Sequence, residues 1–145
     1  MSTSILCVGT ELLLGQIDDT NSGYLGRVLA DKGIESFEQR KIGDNFSRIK
    51  STVISMLENS DSIIIAGGLG PTHDDITREV VSDVMGAEMV LDIDAEKNMR
   101  DIFSRRKREM PQVNLRQAMV PVGAQIIPNE NGTAPGLICP IQING

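Results

Sequence analysis

Hydrophobic residues in this chain fall into two kinds of pattern. Some form short unbroken runs, and others recur every three or four positions. Ile5 to Val8 is an unbroken run closed by Gly9, the signature of a short strand buried on both faces. From Thr20 or Asn21, either of which suits a helix cap, Tyr24, Leu25, Val28 and Leu29 recur at helical spacing until Gly33. Ile34 to Ile42 alternates in part and predicts a more exposed second strand. Asp44 or Asn45 then caps a helix whose apolar face is Ile49, Val53, Ile54 and Leu57.

The third unit of this rhythm is Ser62 to Glu79. Ile63, Ile64, Ile65 and Ala66 read as a strand that breaks into a turn containing Gly67, Gly68 and Gly70, and a helix-like segment follows and ends near Gly86. After Val90 and Leu91, a further helix begins around Asp92 to Asp94 and carries Met99, Ile102 and Phe103. It finishes at the basic run Arg105 to Arg108, before Pro111. Basic residues at a helix C-terminus complement its dipole, and no aromatic residue is interleaved for base stacking. The run is therefore read as a helix end, not a nucleic-acid patch. Asn114 to Met119 predicts a short helix, Gln125 to Ile127 a brief strand between turns, and Leu137 to Ile143 a last strand. Asn144-Gly145 is a hairpin-turn pair with no returning strand after it, so the chain is expected to stop short of its domain's natural end.

Strands alternating with helices through short connections predict a three-layer α/β/α domain with a mostly parallel sheet, spanning residues 1–145 as one domain. Composition changes this picture only at its edges. Aromatics are 3% and Trp is absent, so the core must come from Ile, Leu, Val, Met and Ala. A net charge of -6 argues against nonspecific binding to nucleic acid or to anionic membranes, and no apolar stretch is long enough to span a bilayer. Cys7 and Cys139 lie in apolar runs without metal-ligand spacing and read as small buried residues of a reduced, cytoplasmic protein.

In open α/β sheets ligands collect at the carboxyl ends of the strands. Thr10 and Glu11 follow the first strand, and Gly67, Gly68 and Gly70 follow the third, where glycines let several N–H groups approach one anion. On its own the glycine turn is a weak signal. GGLGP has neither the lysine of a Walker A loop nor the spacing of a dinucleotide fingerprint. Asp75 beside such a loop is, without further information, more often a helix cap than a catalyst. His73, the single histidine, reads as a solvent-facing loop residue.

Five blocks in this order, GTELLLGQIDDTN, KIGDN, AGGLGPTHDDIT, EMPQVNLRQA and NGTAPG, resemble the N-terminal domain of the CinA family of competence/damage-inducible proteins. That domain belongs to the molybdopterin-binding group that includes the MoaB and Mog proteins. The resemblance implies metal-dependent pyrophosphatase activity on ADP-ribose or a related dinucleotide. The alternative is a molybdopterin- or nucleotide-binding module without turnover. It further implies a divalent cation (Mg, Mn or Co), molybdopterin as a possible ligand, a nucleotide or pterin partner, and assembly as a dimer or trimer.

Carried over by position, Gly67, Gly68 and Gly70 would hold phosphates, with Thr72 adding a hydroxyl. Asp44, Asp74 and Asp75 are the implied catalytic and metal-ligating residues. Carboxylates suit this role because a hard cation between them and phosphate oxygens neutralises charge and acidifies bound water. Thr10 and Glu11, together with Gly132, Thr133, Ala134 and Pro135 of the second glycine-containing loop, complete the implied binding set. Where Mog-like relatives carry Arg-Asp this chain has Asp74-Asp75, and Leu69 stands for a hydroxyl residue. Both departures point away from molybdopterin adenylylation and toward the CinA branch.

Overall fold

The computed structural model describes residues 1–142. They form two compact units, residues 1–68 and residues 69–142.

In the first unit the order is β1 (Thr3–Val8), α1 (Thr10–Leu13), α2 (Thr20–Asp31), β2 (Gln39–Ile42), α3 (Phe46–Leu57) and β3 (Ser62–Ala66). The three strands make a parallel sheet in the order β2-β1-β3, with Val8 opposite Ile42 and Cys7 opposite Ala66. Every residue of the central strand β1 is buried, Ile5 to Val8 as their unbroken apolar run predicts and the polar Thr3 and Ser4, which precede that run, as well. Ile5 and Cys7 face Leu29 and Leu25 of α2, while Leu6 and Val8 point to the opposite face by strand alternation. Helix α3, with Ile49, Val53 and Met56 buried, lies against β1 and β3. Helices thus flank this parallel sheet as the α/β reading requires.

The second unit contains α4 (Thr77–Met85), β4 (Met89–Leu91), α5 (Ile93–Arg105), a 3-10 helix (Gln112–Ala118), β5 (Met119–Pro121), β6 (Gln125–Ile127) and β7 (Gly136–Ile138). Strand β4 pairs antiparallel with β5, and β6 pairs antiparallel with β7. Helix α4 packs on β5 and buries Val80 and Val81, while α5 packs on the 3-10 helix through the side that buries Met99 and Ile102.

Several local expectations change. The second strand is confined to Gln39–Ile42, because earlier residues join the sheet only through the isolated Ser2–Glu35 bridge and main-chain bonds. The segment after Gly9, where the first strand hands over to a loop, opens with a short helix that leaves Leu13 and, just beyond it, Leu14 exposed. The cap of α2 is Asp19, not Thr20 or Asn21, and Tyr24 of that helix is exposed. Asn45 caps α3, while Asp75 does not cap α4, whose N-cap is Ile76 with no side-chain bond. The last strand covers only Gly136–Ile138, since its partner β6 is three residues long and Pro140 lacks a ladder donor. The residues of that expected strand beyond 142, and the Asn144-Gly145 turn, lie outside the described residues. Among the described residues no helix is long and apolar enough to cross a membrane.

Candidate functional site

All three parallel strands end in glycine, Gly9 after β1, Gly43 after β2 and Gly67 after β3. At this carboxyl edge of the first unit Thr10 and Asp44 are brought together across 34 positions of sequence. Asp44 Oδ2 accepts from the Thr10 amide at 2.8 Å and from its hydroxyl at 2.9 Å, and the Asp44 amide donates to Thr10 Oγ1 at 3.1 Å. The Glu11 carboxylate folds back over Gly9, where an added Cβ would lie 2.5 Å from its Oε1. Gly67 is pressed on Val8: a Cβ there would sit 2.0 Å from the Val8 carbonyl oxygen, and its φ of +104° is one that L side chains rarely adopt. Gly68 also has positive φ.

Below this edge, Cys7 donates to Asp19 Oδ1 at 3.6 Å, and Asp19 Oδ2 pairs with Lys41 at 3.3 Å. Burial pushes the Cys7 thiol up to about 11, and the Asp19 charge and hydrogen bond push the same way, so the thiol stays protonated at neutral pH. For Asp19, burial pushes upward, but the bonds from Ser22, Lys41 and Cys7 outweigh it and bring the carboxyl to about 2. Both cysteines are free thiols; Cys7 is buried as its apolar run predicts, whereas Cys139 is only half-buried.

The second unit opens with the loop 69–75, which is organised around Asp75. Its Oδ2 accepts from the Thr72 amide at 2.9 Å and from the Thr72 hydroxyl at 2.6 Å. A Cβ on Gly70 would fall 2.4 Å from that same oxygen, so glycine there is what admits the carboxylate. Partial burial pushes the Asp75 carboxyl upward, but the Thr72 bonds, the Gly70 amide and the charge of Arg78 outweigh it. Asp75 therefore titrates below its ordinary range. Asp74 and His73 beside it are exposed.

The loop's carbonyls are held from the other side. Arg78, 1% exposed, donates to the Leu69 carbonyl at 2.6 Å and to the Gly70 carbonyl at 3.1 Å. Burial lowers the pKa of its guanidinium, with Glu79 and Asp75 opposing that effect and Arg116 adding to it. Arg116 donates to the Thr72 carbonyl, to the Asp75 carbonyl at 3.2 Å and to Glu79 Oε1 at 2.8 Å. Gln117 links this loop to the second glycine-containing one. Its Nε2 reaches the Leu69 carbonyl at 3.4 Å, while its Oε1 accepts from the Thr133 hydroxyl and from Asn114 Nδ2, each at 2.9 Å. Asn129 shapes the loop carrying Thr133 by accepting from the Gly132 amide at 3.1 Å and donating to the Ala134 carbonyl at 2.8 Å. Pro135 is buried behind it.

Of the residues expected at a site, the first unit gathers Thr10 and Asp44, with Glu11 folded over Gly9. The second gathers Gly70, Thr72 and Asp75, with Thr133 one residue removed through Gln117. Arg78, Arg116, Gln117 and Asn114 were not expected. For Asn114, Arg116 and Gln117 the sequence signal was that they fall within the EMPQVNLRQA block, which carries the resemblance but assigns them no role; Arg78 lies just after the AGGLGPTHDDIT block. Among the described residues no three His, Cys, Asp or Glu side chains are gathered as they would be around a metal ion.

Comparison with known proteins gives this geometry its family. The family described as "Probable molybdopterin binding domain" matches residues 4–139. A competence-damage inducible protein of Caldicellulosiruptor bescii is 51% identical over 138 residues, which are 95% of this chain and 34% of that protein. The chain thus spans about a third of the length of the curated relatives it matches. The crystal structure of the protein CinA from Thermoplasma acidophilum, described as of unknown function, superposes with a TM-score of 0.87 at 31% identity, covering 97% of this chain and 82% of that one. The molybdopterin biosynthesis enzyme MoaB of Thermus thermophilus shares the fold, with a TM-score of 0.55 at 22% identity over 83% of this chain and 78% of its own. A match across nearly the whole chain and a superposition that covers most of a CinA protein agree: the chain belongs to the CinA family, within the family described as "Probable molybdopterin binding domain", and has the MoaB/Mog-like α/β fold.

Proposed function

We propose that this chain is a nucleotide pyrophosphatase that cleaves the phosphoanhydride of ADP-ribose or a related dinucleotide. The observation that carries the reading is the 69–75 loop: an ionised Asp75 fixed by Thr72 beside Gly70, on a loop whose carbonyls are bound by two arginines. A diphosphate presents oxygens that accept from amides and hydroxyls. A loop with its carbonyls drawn to one side offers N–H groups to the other. In the reaction water attacks one phosphorus, the bridging P–O bond breaks, and AMP and ribose 5-phosphate leave.

The donor set fits a hard cation that arrives with its substrate. Ions such as Mg²⁺ are commonly held by one or two carboxylates plus substrate phosphates, and Asp75 is ionised with the exposed Asp74 next to it. When bound, the cation would neutralise phosphate charge and acidify a water. The chain's own residues do the rest. Thr72 and Gly70 hold the Asp75 carboxylate deprotonated and oriented, and Thr133, anchored on Gln117, offers a second hydroxyl-bearing loop. In the first unit Asp44 is proposed as an acidic group at the carboxyl edge of the sheet, locked by Thr10.

A second reading, a molybdopterin- or nucleotide-binding module without turnover, is favoured by one feature. Asp75 Oδ2 is already committed to its own loop, as a purely structural carboxylate would be. Incubating the protein with ADP-ribose and Mg²⁺, Mn²⁺ or Co²⁺ and following AMP separates the two. AMP release is expected, with Asp75→Asn losing roughly 100-fold, the scale of a lost site group. No AMP with any of the three metals, together with tight molybdopterin binding, would establish the module instead. Full activity in Asp75→Asn would overturn that residue's role while leaving the reaction standing.

A further inference from the structure

We propose that Arg116, together with Arg78, is a positioning residue that sets the 69–75 loop in its ligand-binding conformation without itself touching ligand; as a statement about substrate it rests on the phosphate-holding role proposed above. Four of the loop's carbonyls accept from the two guanidiniums, the Leu69 carbonyl accepting also from Gln117 and the Thr72 carbonyl also from the Asp75 amide at 3.2 Å. Arg78 spans Leu69 and Gly70, and Arg116 spans Thr72 and Asp75. In a planar trans peptide the C=O of one residue and the N–H of the next point to opposite sides. Binding the Thr72 carbonyl to Arg116 therefore turns the His73 amide away from that guanidinium, and binding the Asp75 carbonyl turns the Ile76 amide away. Arg116 in this way fixes the direction of two amides, while Asp75 fixes a third and a fourth by accepting from Thr72 and Gly70.

The arrangement requires a planar fork, not simply a positive charge. Each arginine uses two nitrogens on two different carbonyls, and the Arg116 nitrogen that reaches Asp75 also pairs with Glu79 Oε1. Lysine would retain the charge, but its three donors all radiate from one nitrogen, so it cannot reproduce the two-nitrogen planar fork that spans the Thr72 and Asp75 carbonyls. Arg78 is buried to 1% exposure and sits among the residues that fold α4, which makes it the poorer probe. Arg116 is the partly exposed member, its side chain 30% accessible, and can be exchanged with less disturbance.

The test compares wild type, Arg116→Lys and Arg116→Met by three measurements: thermal midpoint, amide hydrogen exchange over residues 72–76, and steady-state AMP release from ADP-ribose. Expected are faster exchange at His73 and Ile76 in both variants and a KM for ADP-ribose raised ~10- to 100-fold by the lost charge-assisted bonds, with Lys giving no rescue. A kcat reduced less than the affinity, at an unchanged thermal midpoint in Arg116→Lys, would mark positioning as opposed to general destabilisation. Restoration of wild-type exchange and KM by lysine would overturn the proposal, because charge alone would then suffice. Unchanged exchange in both variants would also overturn it. If wild type releases no AMP, the pyrophosphatase reading fails separately, and exchange together with inorganic pyrophosphate binding, expected to weaken in Arg116→Lys, decides the positioning role.

Discussion

Cys7 illustrates what a single residue's chemistry owes to neighbours distant in sequence. Its thiol is buried against the carboxylate that caps α2, and that carboxylate is in turn paired with Lys41 of β2. A thiol raised to about 11 carries almost no thiolate at pH 8, and the thiolate is the reactive form. Cys7 should therefore react with a thiol-specific disulfide reagent only as the protein unfolds, and Asp19→Asn should speed its labelling by removing the charge that opposes thiolate formation. Rapid labelling of Cys7 in the native wild type, read by peptide mapping, would contradict this. The burial of Cys7 was legible in its apolar run, but the role of Asp19 was not. Asp19, Thr20 and Asn21 are all capping types, and only packing under Cys7 and Lys41 selects the first. Asp44 is similar: its acidity and its place after the second strand are plain in the sequence, whereas its bond to Thr10 depends on two strand ends that only the fold brings together.

At the scale of elements, the glycines after β3 were read for their ability to cradle an anion, and the structure supplies a separate reason for one of them. Gly67 lies where β3 ends beside Val8 of β1, at φ +104°, and a Cβ would overlap the Val8 carbonyl at 2.0 Å. Gly67→Ala must therefore shift main chain in the central strand, and a loss of at least ~2–3 kcal/mol in urea unfolding is expected. Gly15 serves as the internal control. It also has positive φ, +67°, but nothing lies within 4 Å of an added Cβ, so Gly15→Ala should cost only about 1 kcal/mol. Equal losses at the two positions would show that backbone conformation, not the close approach of β3 to β1, makes Gly67 necessary. Helices and parallel strands were legible because apolar spacing reports them directly. Of the three-residue strands, β6 was legible between its flanking turns and β7 as the start of a longer run, whereas β4 and β5 were not, since their antiparallel pairing is fixed by partners far along the chain.

Over the whole molecule, the alternation of strand and helix was enough to place the chain in the α/β class, and five short blocks were enough to place it in its family. Neither revealed that 20 acidic residues against 14 basic ones would be used so unevenly. Asp19, Asp61 and Asp75 all titrate below their ordinary value in the folded chain, Asp61 through the Ser2 amide and hydroxyl that it accepts from. A carboxyl with a depressed folded pKa stabilises the fold above its unfolded pKa, and that contribution is lost as pH falls through the folded value, because the unfolded chain takes up the proton first. Urea midpoints should therefore be level from about pH 5 to 8 and decline between about pH 4 and 2. Asp19, with its side chain 3% exposed, should account for about 1–2 kcal/mol of that decline after allowance for screening of its half-exposed partner Lys41. Asp19→Asn should accordingly be less stable than wild type at pH 7 and approach it near pH 2. A wild-type midpoint that fell between pH 8 and 5, or an Asp19→Asn deficit that persisted undiminished at pH 2, would show that the stability of this acidic molecule does not depend on its hydrogen-bonded carboxylates.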